Sequence, residues 1–196
     1  MNRACFSQNT NLHEQNQHAS CIRLMKNNFV RMKNYLILIL LSILSLNVFS
    51  QNFQVPKDYK LESKDDYAKY EGQVIACIDW LLATPISQEP EKRQEVNSFL
   101  VKWLSGSPDV NVDIQQEIVT FVDSPECLLI FMGGWAKYAI ENQDFASKRN
   151  GNIAGIESVI EFYGKNKDII GKNKNIEKYV KLKEKGELIS FIQSRI

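Results

Sequence analysis

Histidine is almost missing from this chain. Of its 196 residues only His13 and His18 are histidines, and both lie close to the N-terminus. A bilayer-spanning run is missing too: the longest apolar stretch, Tyr35 to Leu46, is about a dozen residues against the ~20 that a spanning helix needs. No segment sustains a period-two alternation of polar and apolar residues, which excludes half-buried β-strands as the main building material. Cysteine is sparse, and Cys5 and Cys21 sit in the same polar N-terminal region as the histidines.

That region reads as processing signal rather than fold. Lys33 precedes the apolar run, and Asn47-Val-Phe-Ser50 follows it with permissive residues at Val48 and Ser50. A short basic flank, an apolar centre and such an ending predict a secretory signal peptide over 32–50, cleaved after Ser50. An uncleaved signal anchor is the alternative, and would tether the domain at the inner membrane. Residues 1–31 are rich in Asn and Gln, with Arg3, Arg23, Lys26 and Arg31 against Glu14 alone. They form a polar leader, or an overextended start upstream of Met32 or Met25, and cannot build a core.

Cleavage after Ser50 would remove both histidines. Residues 51–196 then hold no Ser-His-Asp or Cys-His mechanism and no histidine-built zinc site. A Ser-x-x-Lys motif is absent. Gly164 to Lys172 lacks phosphate-loop spacing, and no strand is expected before it. Asp109-Val-Asn-Val-Asp113 places oxygens at the first, third and fifth positions of a calcium loop, but Ile114 and Thr120 stand where Gly and Glu are required. No metal or cofactor is expected. The exported part is slightly acidic, which gives it no reason to seek nucleic acid. Its two cysteines, Cys77 and Cys127, allow one disulfide and otherwise serve as small buried hydrophobes.

What is present is helical periodicity. Residues 51–62 read as an extended lead-in to a helical domain over 63–196. Ser63 and Asp66 have capping-box spacing, and Tyr67, Tyr70, Val74, Cys77, Ile78, Leu81 and Leu82 then recur at helical intervals until Thr84-Pro85. Pro90 opens a helix through Val96, Phe99, Leu100, Trp103 and Leu104, with Gly106 as its C-terminal cap. Residues 109–123 predict a short helix carrying Ile114, Ile118 and Phe121. Ser124 and Pro125 start the stretch on which the fold should turn, 125–142, apolar on every side from Cys127 to Met132 and therefore buried. Its Gly133-Gly134 suggests close packing against another helix, with Trp135 filling the core, or else a cavity for an apolar ligand. After a polar loop, Asn152 to Tyr163 predicts a helix closed by Gly164. The sequence Gly164-Lys-Asn-Lys-Asp-Ile-Ile170 is echoed by Gly171-Lys-Asn-Lys-Asn-Ile-Glu177, and two final helices place Ile176, Tyr179, Val180, Leu188, Phe191 and Ile192 inward. The expectation is an all-α protein: a compact orthogonal bundle of about six helices around a central buried helix.

On Met132-Gly-Gly-Trp-Ala-Lys-Tyr138, Gly155-Ile-Glu-Ser-Val-Ile-Glu-Phe-Tyr163 and Glu177-Lys-Tyr-Val-Lys-Leu-Lys183, the chain resembles uncharacterised secreted helical proteins of Bacteroidota type. The resemblance implies export and an all-helical domain, and brings no activity with it.

Three acids are candidates for chemistry. Glu157 and Glu161 share a helix face, as do Glu91 and Glu95, and paired carboxylates serve glycoside hydrolysis when they flank a bond. Asp79, between Ile78 and Trp80, is either a catalytic acid or a charge satisfied by a lysine. The C-terminal quarter gathers Lys165, Lys167, Lys172, Lys174, Lys178, Lys181, Lys183 and Lys185. Such a run is either a solvated face or a patch for an anionic envelope polymer, lipid headgroups or an acidic protein. The sequence is best read as an exported, non-enzymatic binding module, in the periplasm or outside the cell. The alternatives are a carboxylate-dependent hydrolase of the envelope and an apolar-ligand carrier.

Overall fold

The capping box read at Ser63 is formed: its hydroxyl accepts from the Asp66 N–H, and the Asp66 carboxylate accepts from the Ser63 N–H at 3.0 Å. From this start the computed structural model, which describes residues 53–196, runs through seven helices and no strand among the described residues. They are α1 (Lys64–Lys69), α2 (Glu71–Ala83), α3 (Pro90–Gly106), α4 (Pro125–Asn142), α5 (Lys148–Ile170), α6 (Lys174–Glu184) and α7 (Leu188–Gln193). The protein is all-α. The polar leader and the signal peptide lie outside the described residues.

The lead-in is more than a tether. Val55 is buried, and Phe53, Tyr59 and Leu61 pack against the core. Tyr59 meets Phe99 of α3 edge to face, ring centroids 4.9 Å apart.

The helix expected from Ser63 to Leu82 is broken at Tyr70, whose ψ of 3° leaves the helical region. Trp103 Nε1 donates to the Tyr67 carbonyl at 3.1 Å, competing with the backbone donor that would carry the helix through. The break turns Tyr67 toward Trp103 and Tyr70 toward Phe99.

Pro90 and Pro125 both stand in the first turn of their helices, where no N–H partner is required. Ser124 occupies the N-cap of α4, but its side chain makes no capping hydrogen bond. Gly106 is the last helical residue of α3, and Ser107 is its C-cap. A Cβ at Gly106 would stand 2.0 Å from the Tyr67 hydroxyl, so the glycine makes room for packing and does not cap.

Residues 107–124 contain no helix, against expectation. Ile118, Val119 and Phe121 are buried while Ile114 is 44% exposed, a burial pattern that one helix face cannot produce. The backbone here is satisfied from elsewhere. The Tyr179 hydroxyl donates to the Ile118 carbonyl, Asn175 Nδ2 to the Thr120 carbonyl, and the Val110 N–H to Ser107 Oγ.

α4 packs against α2, α3 and α5. It buries Cys127, Leu129, Ile130, Phe131, Trp135, Ala136, Ala139 and Ile140, whereas Leu128 and Met132 are only half-buried. Each fully buried large apolar side chain contributes about 1.5–3 kcal/mol. The space beside the double glycine is filled. Ile78 lies against Gly133, and Ser158 Oγ and the Ala154 carbonyl of α5 lie against Gly134. α5 answers with Gly151 under Trp135 and Gly155 under Phe131. Close packing accounts for the two glycines, and Gly134 also borders an open groove of about 580 Å³.

α5 is longer at both ends than the sequence suggests. Ser147 caps it by accepting from the Asn150 N–H, and it ends at Gly171, whose φ of +78° suits glycine. Gly164 is therefore an interior residue and closes nothing. The two seven-residue copies thus differ: the first completes α5, while the second supplies its left-handed cap and then opens α6.

Candidate functional site

α6 is held by its inner face. Asn173 caps it, its side chain accepting from the N–H groups of Asn175 (3.0 Å) and Ile176 (3.2 Å). Tyr163 of α5, itself buried, pins the connecting turn: its hydroxyl accepts from the Asn173 N–H at 3.0 Å and donates to the Gly171 carbonyl at 3.2 Å. Ile176 and Tyr179 are buried, and Lys183 follows them on the same face. That leaves Lys174, Lys178, Lys181 and Lys185 in one row pointing away from the core.

The structure sorts the eight C-terminal lysines into two groups. Three are taken up by acids: Lys165 bonds Glu161 at 2.8 Å and the Leu82 carbonyl at 2.8 Å, Lys167 bonds Glu177 at 2.8 Å, and Lys183 reaches Glu157 at 3.3 Å. The other five, Lys172, Lys174, Lys178, Lys181 and Lys185, form no ion pair among the described residues and line one open cavity of about 480 Å³ with Glu177 and Leu182. Glu177 is the one acid in this cavity; it pairs with Lys167, and its charge also interacts with Lys172. The hydrogen bond from Lys167 holds its carboxyl below the usual range, so it stays ionised against that partner. Lys178 lies 4.3 Å from the centroid of the Phe191 ring, and the Arg195 guanidinium is 5.2 Å from the same ring. Spacing alone does not separate the groups: 174, 178, 181 and 185 recur at helical intervals, but Lys167, seven residues before Lys174, falls on that row and Lys172 does not.

The acids meet a different fate. Asp79 accepts from Lys137 of α4, which also approaches Glu141 at 3.7 Å. Burial opposes the charge on Lys137, but the hydrogen bond and charge of Asp79, with Glu141, outweigh it and raise the lysine pKa. Asp79 is thus a charge satisfied by lysine. Glu157 and Glu161 are brought together on one groove of about 580 Å³, along with Glu141, Lys137, Tyr138 and Ser158. Both are exposed, and each already holds a lysine. Glu91 and Glu95 border a separate cleft of about 590 Å³ against lead-in residues 55–59. Asp109 and Asp113 pair with Lys64 and Lys148, at 2.7 and 2.8 Å. Among the described residues no three His, Cys, Asp or Glu side chains converge as a metal site would require.

Cys77 and Cys127 are free, and both are buried. The disulfide considered for them is not formed; each thiol fills apolar space within the core. Burial pushes the Cys77 thiol up to about 12 and raises Cys127 as well. Sequence reading missed Arg93, a buried guanidinium that donates to the carbonyls of Thr84 (2.7 Å) and Pro85 (3.0 Å) where α2 ends. No helix among the described residues is long and apolar enough to cross a membrane.

Compared with known proteins, the chain matches no family model, no curated protein and no solved structure.

Proposed function

We propose that this protein is an exported, non-enzymatic binding module, and that the lysine row of α6 is its contact surface. One observation carries the reading: five lysines without a carboxylate partner surround one cavity, while three close in sequence are each neutralised. Like charges three or four residues apart on a helix cost about 0.2–0.5 kcal/mol per pair, and the row contains three such pairs. Glu177, three residues from Lys174 and four from Lys181, and the helix C-terminus near Lys181 offset part of this cost. The excess positive charge that remains is what an anionic partner would neutralise.

The export half of the proposal rests on Lys33, the apolar run 35–46 and the small residues before Gln51. The resemblance to secreted helical proteins of Bacteroidota type belongs to the same reading. So does the arrangement of the bundle around α4, supported by the number of its residues that are buried and by its packing on three other helices. A carboxylate-dependent hydrolase has one observation in its favour, the shared groove of Glu157 and Glu161. Their exposure and their ion pairs with Lys183 and Lys165 weigh against it, since an acid tuned for catalysis is commonly desolvated.

The test is retention on fragments of the native cell envelope, read as the salt concentration that elutes the protein. The parent protein should be retained at low salt. A variant with Lys174, Lys178, Lys181 and Lys185 all changed to Gln should pass through. Equal retention of the two would overturn the reading.

A further inference from the structure

The shape of the lysine site narrows its ligand, on the footing that the binding reading above holds. Along an α-helix the residues 174, 178, 181 and 185 fall within a sector of about 60° and rise by about 6, 4.5 and 6 Å, so their side chains form a straight row about 16 Å long. Lys172 extends it at the N-terminal end, and Leu182 lines the same trough. We infer that this row binds a linear acidic glycan, a chain of sugars carrying a carboxylate or sulfate at regular intervals, laid along the α6 axis.

Three observations favour that ligand over other anions. First, the cations that line the site are all lysine, with Glu177 the one acid among them. Ammonium groups are compact, strongly hydrated point charges, suited to spaced single anions, whereas bidentate recognition of a phosphate cluster draws on arginine. Second, the row carries no greasy partner for a bilayer. The large hydrophobic side chains that stand exposed are Val101, Ile114, Val122, Ile169, Ile189 and Ile196, and none lies on α6. A basic helix that lies on lipid buries an apolar face there, and the apolar face of α6, Ile176 and Tyr179, is already inside the protein. Third, the row is narrow. A stable protein interface buries about 800 Å² on each partner, more than one edge of an eleven-residue helix offers.

The experiment measures binding of galacturonate di-, tetra- and octasaccharides to the protein by calorimetry, beside vesicles of phosphatidylcholine with a quarter phosphatidylglycerol. Affinity should climb with oligomer length and level off once the chain is as long as the row. It should fall about fifty-fold between roughly 50 and 200 mM salt when four lysines engage. Changing Lys174, Lys178, Lys181 and Lys185 to Gln should lower it at least tenfold, while Lys165→Gln with Lys183→Gln, whose acids Glu161 and Glu157 lie outside the site, should leave it within twofold. Circular dichroism checks that each variant is folded. Binding of the vesicles but not of the octasaccharide, lost in the four-lysine variant, would overturn the glycan inference and leave the anion-binding reading standing. Binding of neither, or octasaccharide binding that survives the four changes, would overturn both.

Discussion

Gly155 of α5 lies directly against Phe131 of α4: a Cβ at position 155 would stand 2.6 Å from Phe131 Cδ2 and 2.8 Å from the Phe131 carbonyl oxygen. The ring can swing aside, but the carbonyl belongs to the helix and cannot. Gly155→Ala should therefore destabilise the protein by about 1–3 kcal/mol, overpacking outweighing the helix propensity gained. Gly164 has nothing within 4 Å of its added Cβ and lies inside the same helix. Gly164→Ala should stabilise by about 0.5–1 kcal/mol. Urea denaturation of the two variants should give shifts of opposite sign.

Arg93 ends α2 from the side. Its Nη2 bonds the Thr84 carbonyl and shares the Pro85 carbonyl with the Gln88 N–H. Arg93→Met keeps the apolar stem and deletes the donors, so it should cost about 1.5–3 kcal/mol. Arg93→Lys should recover only part of the loss: both bonds come from the single Nη2, so one ammonium can supply the donors, but from a shorter side chain. The midpoint of thermal unfolding, followed for all three proteins, tests the ranking.

Cys77 and Cys127 should be silent toward thiol reagents in the folded protein. Burial denies the reagent access and raises both thiols far above neutral pH, so almost no thiolate forms. In a version of the chain beginning at Gln51, which lacks Cys5 and Cys21, a chromogenic disulfide reagent at pH 8 should label neither cysteine until denaturant is added, and then both. Rapid labelling without denaturant would show that this part of the core opens.

Acid should unfold the protein through carboxylates that are held ionised. The Tyr138 hydroxyl keeps Asp144 below its usual range, Lys148 does so for Asp113, and Lys167 for Glu177. These groups bind protons less readily folded than unfolded. Their contribution is complete above the ordinary carboxylate value of about 4 and is lost as the pH falls through the lower folded values. Glu71, raised by its burial, acts in the opposite sense and is outnumbered. Unfolding midpoints measured by pH should hold steady above about pH 5 and decline below about pH 4. A midpoint that rises on acidification would contradict these assignments.

Much of the fold is local chemistry and can be read without coordinates. The Ser63 cap, the prolines opening α3 and α4, and the apolar faces of α2, α3 and α6 follow from capping and a 3.6-residue period, which act within a few residues of one another. The absence of histidine after position 18 is likewise a property of the string.

Other features depend on groups far apart in the chain, and only the tertiary structure decided them. Residues 109–123 have a plausible helical spacing, yet Tyr179 and Asn175 take their carbonyls and no helix forms. Trp103, far along the chain, breaks the helix at Tyr70. The clearest case is the repeated Gly-Lys-Asn-Lys motif. Its first copy forms the last turns of α5 because the helix before it is already wound; its second begins at a glycine of positive φ, where Tyr163 bonds the backbone of Gly171 and Asn173. The same holds for the lysines. Composition states that they are there, but which of them meet a carboxylate depends on where α5 and α6 lie, and that leaves one row charged and open.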